Sequence, residues 1–263
     1  MTRKIPFLGA ILFLSACTTV PLTGRKQLSL IPAPAMISLS EQNYRQALSQ
    51  GKLSANSRET ARLRQVGNRL IQSVERYMKQ EGLHKQIEGY DWEINLLESK
   101  EANAWCMEGG KIAFYSGIMP LCPTDDAVAV VMSHEIAHAI ARHGRERMSQ
   151  LVVAQMGGVA IDQALREKPA MTRQLAQTAY GAGTTVGVLL PFSRAHESEA
   201  DEMGLHFMAM AGYNPDEAVR FWERMGQLGG SKLPAFLSTH PSTEDRIKQL
   251  KRLIPQVKAK YRP

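Results

Sequence analysis

The stretch from Asp125 to His143 constrains the fold of this chain more than any other. Most of its residues are apolar, which is typical of a helix buried inside a domain. Residues four apart lie on one helical face, so His134 and His138 can reach one cation while Glu135 points beside it. Because buried imidazoles without a partner are costly, the stretch predicts two zinc ligands and a base at Glu135. The alternative is a buried helix that carries the H-E-x-x-H pattern by chance.

A second helix is expected to complete the metal site. A metzincin-type extension of the motif would need Gly at position 141 and His at position 144, but the chain has Ala141 and Gly144, so the third ligand is expected farther on. Glu197 and Asp201 are four residues apart, so they share one face of a predicted helix. Glu197 is therefore the predicted third ligand, and Asp201 is the acceptor that holds a ligand histidine by its other N–H. Glu199 is the rival ligand on another face, and a solvated acidic face is the alternative to both.

Residues 1–16 are predicted to be a lipoprotein signal peptide. A short cationic start precedes the apolar run Ile5–Leu14, which is too short to span a bilayer permanently. Small residues directly before Cys17 resemble the lipobox of bacterial lipoproteins, which implies that Cys17 is acylated. Thr18 follows it, and by resemblance to Gram-negative lipoproteins a residue other than Asp implies sorting to the outer membrane. The alternative is an ordinary secretory signal with an incidental cysteine.

Charge and hydropathy exclude two classes of protein. The formal net charge is +7 at pH 7, but the basic residues are spread out with no aromatic-interleaved cluster, so we expect no nucleic acid partner. No later segment reaches about 18 consecutive apolar residues, so only the N-terminal lipid is expected to contact the membrane. We predict a lipidated tether with some packing at residues 17–39 and one domain at residues 40–263.

Two short segments before the buried helix predict a β-hairpin. Residues 103–106 and 111–115 flank a turn at Gly109 and Gly110, and residues 92–96 alternate like a further strand. An exposed edge of this sheet could pair with the main chain of a peptide. The predicted substrate-edge residues are Asn103, Ala104 and Trp105. The alternative is a plain sheet hairpin without a binding role.

The remaining segments predict an α+β fold that is mostly helical. Apolar residues recur at helical spacing over Ser57–Gln80, and further helices are predicted at Glu41–Gln50 and Thr243–Leu253. Residues 149–190 are rich in Ala, Gly and Gln, so we expect broken helices and loops that could cover a cleft. The small sheet beside the metal-binding helix completes this expected architecture.

Two cysteines remain once Cys17 is assigned to the lipid. Cys106 and Cys122 form an even pair in a chain expected outside the cytoplasm, where such pairs usually form a disulfide. The alternative is two buried free thiols, because the sequence does not give the distance between them.

Together these motifs resemble those of the M48 metallopeptidases, most of all their periplasmic lipoprotein members in Gram-negative bacteria. The motifs, in the family's order, are Asn103-Ala104-Trp105, Gly109-Gly110-Lys111-Ile112, His134-Glu135-x-x-His138, Glu197-x-x-x-Asp201 and His240-Pro241-x-x-x-x-Arg246. The resemblance implies a zincin-type domain of the gluzincin class, with one Zn²⁺ per chain held by His134, His138 and Glu197. Unlike the HtpX and Ste24 members, this chain has no predicted membrane helices.

The resemblance implies a zinc-dependent endopeptidase with Glu135 as general base. We expect protein and peptide substrates, namely misfolded or envelope proteins, at the periplasmic face of the outer membrane; the oligomeric state stays open. The alternative is a noncatalytic zinc-containing chaperone or assembly lipoprotein, although a purely structural site needs no base beside the metal. The candidates for the oxyanion stabiliser are His196, Arg194, Tyr180 and His240.

His240 is the candidate for control of the site. It lies on a predicted loop before Pro241, and the resemblance implies that such a His-Pro loop lies near the metal. His240 could therefore close the site as a removable fourth ligand. Two alternatives stay open, namely a group that stabilises the transition state and a histidine that is exposed or caps a helix.

Overall fold

The computed structural model describes residues 17–185, 189–227, 235–241 and 244–261. The predicted signal peptide lies outside these residues, so its cleavage and the acylation of Cys17 stay predictions. The strands and α-helices, in chain order, are β1 (Cys17–Thr19), β2 (Lys26–Leu28), α1 (Ala33–Gln50), α2 (Ser57–Gln80), β3 (Glu93–Leu97), β4 (Ala104–Met107), β5 (Lys111–Tyr115), α3 (Asp125–Ile140), α4 (His143–Ala164), α5 (Ala170–Thr184), α6 (Leu190–Met210), α7 (Glu217–Gln227), α8 (Ala235–Thr239) and α9 (Glu244–Lys260). Short 3-10 turns occupy His84–Ile87 and Ser116–Leu121.

The predicted α+β class is confirmed, and helices dominate it. The predicted boundaries of α2 are confirmed. The helix begins at Ser57 because the side chain of Asn56 caps it by accepting the N–H of Glu59. By contrast, α1 begins eight residues before the predicted Glu41, and so crosses the expected boundary between residues 39 and 40. Pro34 lies in its first turn, where proline is tolerated because the N–H there has no helical partner.

The prediction of broken helices over residues 149–190 is wrong for most of that stretch. The chain forms the long helices α4 and α5, which pack against each other. Gly157 lies inside α4, and a Cβ there would come within 2.1 Å of the Tyr180 hydroxyl. That hydroxyl donates to the carbonyl of Ala154. The glycines therefore permit close helix packing, which local sequence patterns do not distinguish from a helix break.

The predicted hairpin is confirmed, and it belongs to a mixed three-stranded sheet. The strand order is β3-β5-β4, with β3 parallel and β4 antiparallel to β5. Gly109 and Gly110 form the turn with φ angles of 99° and 88°, which glycine adopts without strain. β4 is consequently an edge strand of this sheet.

α3 lies at the centre of the fold, where it packs against α2, α6, α7 and β4. Thr124 caps its first turn by accepting the N–H of Ala127. On α6, Gly204 faces the backbone of His134, and a Cβ there would lie 3.3 Å from that backbone nitrogen. The two helices therefore approach closely, which brings the acidic residues of α6 beside the histidines of α3.

The segment predicted as a tether is folded against the body. β1 and β2 pair antiparallel, and Val20 between them is 1% exposed in the hydrophobic core. Arg25 reaches buried acidic side chains on α4 and α6. Residues 17–28 are therefore a docked hairpin, which we call the N-terminal hairpin.

The predicted disulfide is wrong, because Cys106 and Cys122 are both free. Cys106 pairs with Ile112 in the sheet. From there β5 carries the chain toward the opposite end of β4, and a 3-10 turn follows before Cys122. Cys122 is fully buried in the core, and burial raises the pKa of its thiol to about 12.

Gly110→Ala is expected to lower the free energy of unfolding more than Gly82→Ala. Both glycines have positive φ angles, 88° and 70°, which cost an L-residue about 1–2 kcal/mol. At Gly110 alone the new Cβ would also meet a neighbour, the Trp92 ring at 2.9 Å, so a further loss of about 1–3 kcal/mol is expected. Urea unfolding followed by circular dichroism measures both variants, and equal losses would contradict this account.

Candidate metal centre

Four side chains from separate parts of the chain converge at the predicted metal site. His134 and His138 lie on one face of α3, Glu197 lies on α6, and His240 directly follows α8. One potential ligand atom from each residue lies within 4.8 Å of those of the other three. The structure therefore brings together the three predicted zinc ligands and the predicted regulatory histidine.

The distances within this group suit a divalent metal ion. Nε2 of His134 lies 3.1 Å from Nε2 of His138, which lies 3.3 Å from Oε1 of Glu197. Nδ1 of His240 lies 3.1 Å from Nε2 of His134 and 2.8 Å from Oε2 of Glu197. Donors about 2.0–2.1 Å from a tetrahedral ion are separated by about 3.3 Å. Imidazole nitrogens and a carboxylate oxygen are also donors that zinc uses, so this group fits such an ion.

Glu135 lies beside this group without belonging to it. Its side chain is buried, and its Oε1 makes no hydrogen bond with the described residues. Nε2 of His240 lies 3.4 Å from that oxygen, and the backbone N–H of Cys106 also interacts with the carboxylate. Burial raises the pKa of Glu135 above its ordinary value, although the imidazoles of His240 and His134 counteract part of this shift. A buried carboxyl with a raised pKa and an unused oxygen is suited to take up and release a proton.

Asp201 contacts His134 on the side of the ring that faces away from the other candidate ligands. Its Oδ1 lies 3.1 Å from Nδ1 of His134, on the opposite side of the ring from Nε2. Arg246 on α9 fixes Asp201 with two hydrogen bonds, Nε to Oδ2 at 2.7 Å and Nη2 to Oδ1 at 2.6 Å. The guanidinium also lies 3.5 Å over the ring of Trp222. Burial raises the pKa of Asp201, but Arg246 and His134 outweigh that effect and leave the pKa below its usual value.

His138 is contacted on the corresponding side of its ring by a second histidine instead of a carboxylate. Its Nδ1 lies 2.8 Å from Nδ1 of His143, and Nε2 of His143 lies 3.0 Å from Oε2 of Glu199. Glu199, the rival candidate for the third ligand, is thus directed to His143, and it is not part of the metal group formed by His134, His138, Glu197 and His240. The ring of His138 therefore presents Nε2 to the metal group and Nδ1 to a second histidine.

Three of the four candidates for the oxyanion stabiliser are either hydrogen-bonded to other groups or exposed to solvent. Nε2 of His196 lies 2.8 Å from Oε2 of Glu146, and the hydroxyl of Tyr180 bonds within the α4–α5 pair. Arg194 is exposed on α6. His240 alone among the four belongs to the metal group.

The predicted substrate-edge residues lie at the edge of the sheet nearest α3. Ala104 and Trp105 are in β4, and the carbonyl of Asn103 accepts the N–H of Tyr115 just before the strand. β4 packs against α3, and the N–H of its Cys106 faces Glu135. Substrate pairing along this strand stays a prediction.

Two contributors to the site were not predicted from the sequence. Arg246 belongs to the His240-Pro241-x-x-x-x-Arg246 motif, but its contact with Asp201 requires that α9 packs against α6. His143 is five residues after His138, a spacing that does not share a face on a continuous helix. The chain turns between α3 and α4 at Arg142, whose φ is 57°, and this turn directs His143 back to His138. A non-glycine residue in that conformation leaves no reliable signal in the sequence.

Two imidazoles from one helix, a carboxylate from a second helix and a buried carboxyl beside them define a zincin-type metallopeptidase. Comparison with known families agrees, since the family described as Peptidase family M48 matches residues 57–254. The chain belongs to this family, and it is a metallopeptidase.

Several curated relatives match over most of the chain. The mitochondrial metalloendopeptidase OMA1 of Schizosaccharomyces pombe is 27% identical over 96% of this chain and 71% of the relative. The protein of the same name from Saccharomyces cerevisiae is 28% identical over 92% of this chain and 70% of the relative. Metalloprotease YcaL of Escherichia coli is 24% identical over 92% of this chain and 95% of the relative. All three names describe metal-dependent proteases.

The expected location at the periplasmic face of the outer membrane is wrong by this comparison. The OMA1 relatives that match over most of the chain are named as mitochondrial proteins. The expectation depended on a short pattern around Cys17, which lies before the region that the family match covers. Among the described helices, none is sufficiently long and apolar to cross a membrane.

Asp201→Asn is expected to raise the dissociation constant for zinc about 10- to 100-fold, because the ring of His134 loses its charged partner. Asp216→Asn is the matched control, since Asp216 lies partly exposed away from the metal group and pairs with Lys258 at 2.7 Å. Competition with a chromogenic chelator measures both constants. An unchanged constant in Asp201→Asn would show that Asp201 does not support the ligand.

Proposed function

We propose that this metallopeptidase is a zinc-dependent endopeptidase with one Zn²⁺ per chain, held by His134, His138 and Glu197. The observation that carries the proposal is the convergence of their ligand atoms beside Glu135, whose buried Oε1 has no hydrogen-bond partner in the described part of the chain. Native structures seldom leave a buried oxygen unsatisfied without a reason. Here the reason is that this oxygen accepts a proton during the reaction.

Glu135 is the general base and then the general acid. When bound, zinc supplies Lewis-acid chemistry that polarises a carbonyl and acidifies water. Glu135 takes a proton from the attacking water at Oε1 and delivers it to the nitrogen of the leaving amine. Its raised pKa brings it closer to neutral pH, where a carboxyl of ordinary pKa would hold the proton too weakly.

The substrate is proposed to be an unfolded protein segment, such as part of a misfolded protein. The edge strand β4 packs on α3, so a peptide paired with it would pass beside Glu135. Main-chain pairing tolerates many side chains, which suits a protease that acts on unfolded chains. Folded proteins would be poor substrates because their backbone groups are already paired.

His240 is proposed to close the site as a fourth ligand. Its Nδ1 contacts both His134 and Glu197, and the N–H of His240 donates to the carbonyl of Phe236 at 2.8 Å. A tetrahedral zinc with four protein ligands has no open position for catalysis. Bound in this way, His240 would keep the peptidase inactive until its side chain leaves the metal.

Glu135→Gln is expected to retain zinc and to lower the hydrolysis of casein about 10²- to 10⁴-fold, because the amide cannot carry the proton. Glu223→Gln is the matched control, since Glu223 is exposed and pairs with Lys251 at 3.2 Å. Zinc content and turnover are measured on the same samples. Equal hydrolysis by wild type and Glu135→Gln would contradict the role of Glu135 as the base.

His240→Ala is expected to keep zinc bound and to raise proteolysis severalfold, including self-cleavage, because the fourth position becomes open. Peptidase assays and gel analysis of the stored protein measure both effects. A fall of about 10²- to 10³-fold would instead assign His240 to stabilisation of the transition state. Unchanged activity would contradict both roles.

Attachment to a membrane is proposed to occur through a lipid on Cys17, which is exposed at the start of β1. Cys17→Ser should then move the protein from the membrane pellet to the soluble fraction, because no described helix could anchor it. Immunoblots of the two fractions after a high-salt wash measure this. A variant that remains in the pellet would contradict a lipid anchor at this residue.

A further inference from the structure

The N-terminal hairpin contacts a buried polar network that lies behind His138. Arg25 donates through Nε to Oε2 of Glu199 at 2.8 Å, and Thr23 donates its hydroxyl to Oε1 of the same carboxylate. The other two nitrogens of the guanidinium bond both oxygens of Glu146, at 2.9 and 2.7 Å. One arginine therefore fixes two carboxylates that are each at least 94% buried.

These two carboxylates hold His143 from two directions. Glu199 accepts from Nε2 of His143 at the edge of the ring, at 3.0 Å. Glu146 holds His196 at 2.8 Å, and the ring of His196 stacks on His143 with centroids 4.2 Å apart and an angle of 13°. His143 consequently has its edge and one face fixed by groups that Arg25 orients.

The hydrogen bonds determine which nitrogen of His138 is bare. A carboxylate accepts hydrogen bonds, so Nε2 of His143 carries the hydrogen toward Glu199. In a neutral imidazole the other nitrogen, Nδ1, is then an acceptor. Nδ1 of His138, 2.8 Å away, must therefore be the donor. Its Nε2 is left without hydrogen and directed to the metal group, as a metal ligand requires.

We propose that Arg25 is a positioning residue of the metal centre, which acts through Glu199 and His143 on the orientation and tautomer of His138. The inference rests on the proposed zinc site and adds the N-terminal hairpin to it. Each ligand histidine of α3 is then supported indirectly by an arginine. Arg246 supports His134 through Asp201, and Arg25 supports His138 through a longer chain of contacts.

The test is the zinc affinity of Arg25→Gln, which removes the charge and the forked donors. The dissociation constant, measured by chelator competition, should rise about 10- to 100-fold. Arg25→Lys should restore part of the affinity, since it keeps the charge. Arg45→Gln is the matched control, because Arg45 is an exposed arginine that also bonds two carboxylates, Glu41 and Glu93.

A double-mutant cycle with His143→Gln separates positioning from general stability. If Arg25 acts through His143, Arg25→Gln should cost little further affinity in the His143→Gln background. Additive losses would overturn the proposal, as would an unchanged affinity in Arg25→Gln. If Arg25→Gln fails to fold by circular dichroism, Thr23→Val removes a single contact to Glu199 and should weaken zinc binding in the same direction; an unchanged constant in Thr23→Val would then overturn it.

The failure of this inference differs from a failure of the proposed function. Wild-type protein that binds one zinc ion with an affinity insensitive to Arg25 would overturn the inference and leave the endopeptidase proposal intact. Wild-type protein without stoichiometric zinc would overturn both. Chelator competition needs no substrate, so neither result depends on activity.

Discussion

The burial of His134 and Glu135 on an apolar helix, with His138 partly buried beside them, is the constraint on which the rest of the structure depends. A buried polar group without a partner costs about 1–3 kcal/mol, and an unpaired charge costs more. α3 cannot supply these partners itself, since its other buried side chains are mostly apolar. The partners come from elsewhere, with carboxylates from α6 and arginines from α9 and the N-terminal hairpin. The elements around α3 thus supply the hydrogen-bond and ion-pair partners that allow its polar residues to remain buried.

Metal binding and folding are coupled in such an arrangement. The candidate ligand atoms come from α3, α6 and the residue after α8, so this group forms only when these segments are packed together. Zinc that binds the folded chain stabilises it by mass action, and loss of any supporting contact weakens both. Arg25 and Arg246 are far apart in sequence, and both form ion pairs with carboxylates of α6 near the candidate metal centre.

The parts of the fold predicted from the sequence are those with local causes. The period of α2, the glycine turn of the hairpin and the four-residue spacing of Glu197 and Asp201 are each contained within a short segment. The pair α4–α5 was missed because Gly157 permits helix packing there, which depends on a distant tyrosine. Arg25 was missed because its partners are 121 and 174 residues away in sequence. The location was inferred from a short N-terminal pattern, and the disulfide from the pair Cys106 and Cys122 in the compartment which that pattern implied; both predictions were wrong.

Anomalous diffraction from crystals of the zinc-loaded protein, recorded on both sides of the zinc absorption edge, tests the central claim most directly. We expect one anomalous peak per chain, about 2.0–2.2 Å from Nε2 of His134, Nε2 of His138 and a carboxylate oxygen of Glu197. Glu135 should lie outside bonding distance of that peak. A peak at another site, or one that Glu135 ligates in place of Glu197, would contradict this account.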